Sequence, residues 1–97
     1  MPTNAMLEPA EVDQLFRTHH SWLNIWLRQR VGCREHAADL AQDTFLRLLR
    51  SRPIHPLKEP RAYLSSIARG LMIDQYRRRR LEQAYLESLA SLPEERA

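Results

Sequence analysis

The stretch from Glu59 to Arg80, EPRAYLSSIARGLMIDQYRRRR, decides the fold class. Pro60 suits the first turn of a helix, and Leu64, Ile67, Ala68 and Leu71 then recur at spacings of three and four, the apolar stripe of a helix with one buried face. The same stretch concentrates charge. Arg61, Arg69, Arg77, Arg78, Arg79 and Arg80 face one acid, Asp74, although the whole chain is only +3. Residues 1–60 hold eight basic and seven acidic side chains, and residues 81–97 hold one basic and four acidic. Nearly all the positive excess therefore sits on one element, an electrostatic footprint for a polyanion and most economically for nucleic acid.

The chain of 97 residues is the size of a single domain, with 43% hydrophobic and 28% charged residues in the range of globular proteins. Two glycines, few β-branched residues and abundant Leu, Ala, Arg, Glu and Gln argue for an all-α class. A compact bundle of about four helices is expected. No apolar stretch approaches the ~18–20 residues of a membrane span, and no basic segment followed by an apolar run opens the chain. The lone Cys33 has no internal partner for a disulfide, which fits a reducing, cytoplasmic setting.

Three further segments complete the layout. A first helical run opens at Glu8-Pro9 with Val12, Leu15, Phe16 and His19 on one stripe. Its pattern falters at Thr18-His19-His20-Ser21, where Ser21 is a candidate N-cap for a second run carrying Trp22, Leu23, Trp26, Leu27 and Arg30. One kinked helix or two are both compatible with the pattern, and Gly32 closes the run as a left-handed cap. From Arg34 to Arg50 the buried stripe is Ala37, Leu40, Ala41, Thr44, Phe45, Leu48 and Leu49, with Asp39, Gln42, Asp43, Leu46, Arg47 and Arg50 on the other side. SRPIHPLKE (51–59) holds two prolines and precedes a third, so it reads as an irregular loop. After the arginines, Leu81, Tyr85 and Leu89 continue a stripe that should stop before Pro93. Residues 1–7 are expected to be a disordered N-terminus, 8–90 the helical domain and 91–97 the start of a linker.

Each chemical signal has a bland counterpart. The arginine run alone is as compatible with a solvated face as with a ligand. Arg69, on a similar side of the helix, and Lys58 and Arg61 at its start turn it into a possible track along a phosphate backbone. Asp74 is explained by an i,i+4 pair with Arg78 rather than as a base. Asp39 and Asp43, like charges at i,i+4, cost an isolated helix a few tenths of a kcal/mol, and with Leu46 beside them they suggest a protein partner that presents arginines. Cys33 and His36 have C-x-x-H spacing, but no second ligand pair completes a zinc site, so no metal is expected. Trp22 and Trp26 read as core. No nucleophile elbow, P-loop or HExxH occurs, so no enzymatic activity and no cofactor are expected.

Read together, AADLAQDTFLRLLR (37–50) and EPRAYLSSIARGLMIDQYRRRR (59–80) resemble the second conserved region of extracytoplasmic-function sigma factors, the promoter-specificity subunits of bacterial RNA polymerase. HHSWLNIWLRQRVG (19–32) and LEQAYLESLASLPEE (81–95) resemble the iron-starvation subgroup, which serves ferric-siderophore uptake. The resemblance implies that Asp39, Gln42, Asp43, Leu46 and Arg47 dock on the clamp helices of the polymerase's largest subunit. It implies that loop 51–60 captures a flipped base of the −10 element on the non-template strand. It further implies that Lys58, Arg61, Arg69, Gly70, Arg77, Arg78 and Arg80 contact promoter DNA, and that a membrane-anchored anti-sigma regulator is a second partner. Family members often carry Asn where Gly70 stands, and they continue into a helix-turn-helix domain beyond the region matched here. A helical adaptor whose basic helix meets an acidic protein is the rival from another class. A duplex-binding repressor lacks the short helix-turn-helix spacing.

Overall fold

The computed structural model describes residues 6–51, 53 and 57–93, which form three helices: α1 (Pro9–Val31), α2 (Arg34–Ser51) and α3 (Pro60–Ala90). The all-α class holds, with three helices where about four were expected. The expected break near Ser21 is absent because one stripe runs through it: Val12, Phe16, His19, Leu23 and Leu27 recur at three- and four-residue spacing, so a single helix keeps them on one side, with Val12, Leu23 and Leu27 buried. His20 and Asn24 hold the backbone there, His20 Nδ1 lying 2.8 Å from the Phe16 carbonyl and Asn24 Nδ2 donating to the His20 carbonyl at 3.0 Å. Ser21 is an exposed mid-helix residue.

Both ends of α1 follow local chemistry. The Glu8 N–H donates to Glu11 Oε1 at 2.8 Å and Pro9 occupies the first turn. At the other end Gly32 adopts φ +69°, a conformation that costs glycine little, and its N–H donates to the Arg28 carbonyl. The turn of two residues that follows returns the chain as α2, which packs extensively on α1. α3 then docks mainly on α2 and more lightly on α1.

The core is a small set of aliphatic side chains. Leu23 and Leu27 of α1, Ala37, Leu40, Ala41, Phe45 and Leu48 of α2, and Leu64 and Ala68 of α3 are buried together. Thr44 is fully buried among them, its hydroxyl satisfied by Oγ1 donating to the Leu40 carbonyl at 2.8 Å. Phe16 and Leu49, expected in the buried stripes, are 40% and 42% exposed because each lies at the edge of its helix's core face. Leu7, expected ahead of the domain, is buried and its N–H donates to the Pro53 carbonyl at 2.9 Å. Its side chain joins the core cluster. Residues 1–5, 94–97 and most of the expected loop, at 52 and 54–56, lie outside the described residues.

α3 is longer than the core it crosses. At 1.5 Å per residue its 31 residues span ~46 Å, and every described residue from Tyr76 onward is exposed. The radius of gyration, 18.8 Å, exceeds the ~12–13 Å of a compact chain of this length. The second half of α3 therefore projects from the bundle, and the stripe of Leu81, Tyr85 and Leu89 meets no core.

Candidate nucleic-acid and protein interfaces

Because α2 turns its aliphatic stripe inward, Asp39, Gln42, Asp43, Leu46 and Arg47 all emerge on its outer side. Among the described residues neither aspartate forms an ion pair. Beside them runs an apolar groove of about 320 Å³ between α1 and α2, lined by Val12, Phe16, Phe45, Leu46 and Leu49. Phe16 meets Phe45 edge-on at 5.1 Å between ring centroids and stacks on His20 at 4.8 Å. The apolar patch around Leu46 is thus wider than its sequence neighbours indicated. Phe16 and Leu49 were hidden within stripes that looked wholly buried.

The basic residues of α3 are distributed by helical rotation of ~100° per residue, which sends four consecutive arginines around most of the helix. Arg79 lies against α2, its Nη2 at 3.4 Å from Nδ1 and 3.3 Å from Nε2 of His36, whose Nε2 also hydrogen-bonds Gln75 Oε1. Arg80 sits over Tyr76, with the guanidinium carbon 5.9 Å from the ring centroid and Nη1 donating to the phenol oxygen at 3.3 Å. Arg78 lines a depression with His36, Asp39, Gln75 and Glu82. The expected pair between Asp74 and Arg78 is absent among the described residues. Asp74 instead borders a depression with Arg47, Ser66 and Gly70.

Gly70 lies mid-helix in α3. A Cβ built there meets nothing within 4 Å, so neither a close approach nor a turn requires the glycine. It faces toward Arg47 rather than toward the side on which Arg69 lies.

The first half of α3 makes a different surface. Arg61 places its guanidinium carbon 5.0 Å from the Trp22 ring centroid and Arg69 lies 5.4 Å from that of Trp26. Arg30 joins from α1 itself, 3.8 Å from the Trp26 centroid, with Nη1 donating to the Trp26 carbonyl at 2.9 Å. The indoles are half-buried, packed against the core on one side and against guanidinium groups on the other. The core expectation for Trp22 and Trp26 therefore accounts for one side of each ring only. Their i,i+4 spacing, continued by Arg30 four residues on, was the signal that could have identified this face.

His19 responds to the positive charge of this face. Its Nδ1 is buried without a hydrogen-bond partner, and burial, then the nearby Arg61 charge, push its pKa below the usual value of 6.5. Lys58 is exposed just ahead of α3. Among the described residues no three His, Cys, Asp or Glu side chains converge as metal ligands would, and no helix is long and apolar enough to cross a membrane.

Acidic-apolar and basic-aromatic surfaces thus occupy different sides of one three-helix core, and comparison with known proteins gives this arrangement a family. The chain is 45% identical over 82 residues, 84% of its length, to the ferric citrate uptake sigma factor of Escherichia coli (strain K12), and it spans about half (47%) of that relative's length. No solved structure matches it. Residues 15–82, from within α1 to just past the arginine run, match Sigma-70 region 2, and the chain belongs to that family.

Proposed function

We propose that this chain is the promoter-recognition region of an extracytoplasmic-function sigma factor that directs RNA polymerase to iron-uptake genes. The observation that carries it is the placement of an acidic-apolar face on α2 and a basic-aromatic face on α3 and α1, within a chain 45% identical to a ferric citrate uptake sigma factor. Asp39, Gln42, Asp43, Leu46 and Arg47 form the docking surface for the clamp helices of the polymerase's largest subunit. The apolar side chains beside Leu46 supply a water-excluding centre, and the unpaired aspartates supply electrostatic complementarity to a basic partner.

Lys58, Arg61, Arg69, Arg77, Arg78 and Arg80 line the path of the −10 element, whereas Gly70, expected among them, opens toward Arg47. Separating the strands costs a few kcal/mol per unstacked base, and phosphate contacts together with capture of an extruded base near the loop at 51–60 offset it. Arg61, Arg69 and Arg77 are the best placed for phosphate, since Arg78 borders the acids Asp39 and Glu82. Residues 8–90 constitute the region, with 91–97 opening a linker. The protein works in the cytoplasm, has no catalysis of its own, and answers to a membrane-anchored anti-sigma regulator.

A pull-down of core polymerase tests the docking surface. Wild-type protein is expected to capture polymerase and Asp43→Arg to lose it with an unchanged circular dichroism spectrum. Equal capture by both would remove Asp43 from the interface, and no capture by either would favour an adaptor. For DNA, replacing Arg77 and Arg78 by Ala should flatten the salt slope of binding to single-stranded −10 DNA by up to about two contacts' worth.

A further inference from the structure

The Trp22–Trp26 face of α1 is the feature that neither the core nor the arginine track explains. Significant cation–π contacts occur about once per 70–80 residues in proteins. Here three guanidinium groups address two neighbouring indoles in a chain of 97 residues. Two of those groups, on Arg30 and Arg69, approach the same ring although they repel each other. Among the described residues none of Arg30, Arg61 and Arg69 forms an ion pair, and His19, beside Arg61, is held toward its neutral form. Positive charge is thus gathered on planar supports and left without an acid to neutralise it. A guanidinium held beside an indole loses much of its rotamer freedom before any ligand arrives, and its N–H groups that have no protein acceptor can donate to a phosphate.

We propose that Trp22 and Trp26 are positioning residues for a nucleic-acid strand, and that they extend the strand-binding surface from α3 onto α1, where Arg30 is an additional phosphate contact. Trp22 orients Arg61, and Trp26 orients Arg69 and Arg30. The inference rests on the nucleic-acid function proposed for α3. It adds to that function a second helix, a third arginine and a reason for two tryptophans at this spacing.

A double-mutant cycle read by fluorescence anisotropy with a labelled single-stranded oligonucleotide at low salt tests it. Trp22→Leu keeps apolar volume and removes the ring; it should weaken binding about three- to fivefold, the worth of an exposed cation–π contact. Trp22→Phe should restore binding to within about twofold. In an Arg61→Ala background Trp22→Leu should cost nothing further, because the tryptophan acts through the arginine. An equal cost in both backgrounds, or none in either, overturns the proposal. Arg61→Lys, an exposed substitution that leaves the core alone, covers the case in which Trp22→Leu melts; it keeps the charge and loses the plane. It should also bind three- to fivefold more weakly, and unchanged affinity overturns the proposal. Arg30→Gln should lower the salt slope by about one. If Arg77→Ala with Arg78→Ala weakens binding while the cycle and Arg30→Gln change nothing, the α3 function stands and this inference falls. If wild-type protein binds no strand, both fall.

Discussion

Arg79 of α3 lies nearly equidistant from the two ring nitrogens of His36, at 3.4 Å from Nδ1 and 3.3 Å from Nε2. Arg79 therefore works in the contact between α2 and α3. Arg77, with no side-chain partner among the described residues, is free for solvent or phosphate. We expect Arg79→Ala to lower the melting temperature by about 2–4 °C, and Arg77→Ala to leave it within about 1 °C while reducing the salt slope of strand binding. Thermal denaturation beside a salt titration separates the two roles.

Gly70 offers the opposite test. It lies in the middle of α3 with open space where a Cβ would project, so Gly70→Ala removes a backbone-entropy cost and adds no clash. The substitution should stabilise the protein by about 0.5–1 kcal/mol, measured by urea denaturation with an unchanged m-value. A destabilised variant would mean that the surface at Gly70 needs its bare backbone.

α3 is anchored by little. Leu64 is its one large, fully buried side chain, with Ala68 beside it. Leu64→Ala should cost about 2–5 kcal/mol, a large share of the ~5–15 kcal/mol typical of a domain. Hydrogen exchange should show α3 losing protection ahead of the α1–α2 pair, because those helices keep Leu23, Leu27, Leu40 and Leu48.

His19 sets a pH dependence whose sign follows from its surroundings. Its folded-state pKa is lowered, by burial first and by Arg61 second, so the unfolded chain binds the proton more readily. Stability present above the unfolded value, near 6.5, is therefore lost as pH falls through that value toward the folded one. His19→Gln should show a smaller drop in melting temperature between pH 7.5 and 5.5 than the wild type, compared in the same buffers.

Much of this architecture is legible along the chain because its causes are local. The Gly32 stop, the Pro60 start and the inward positions of Leu40, Ala41, Thr44 and Leu48 each follow from neighbours within a turn or two. The join across Ser21 was less plain. Polar residues at 18–21 interrupted the composition while the 3.6-residue phase continued beneath them, and phase prevailed because burial of Leu23 and Leu27 depends on it. The edge positions Phe16 and Leu49 misled for a related reason: periodicity gives the direction of a stripe, whereas its buried width depends on what lies opposite.

Propensity, capping and periodicity act between residues close in the chain, so the amphipathic runs, the Gly32 stop and the separation of an acidic-apolar helix from a basic one could be read from sequence, while the continuity of α1 through Ser21 was left open. Only the tertiary structure decided which arginine meets which aromatic ring: Arg61 with Trp22, Arg69 with Trp26 and Arg79 with His36. Those pairings depend on the depth and rotation with which Leu64 and Ala68 seat α3 on the other helices. That rotation is set by interlocking side chains from distant segments, and it divides one run of arginines among several surfaces.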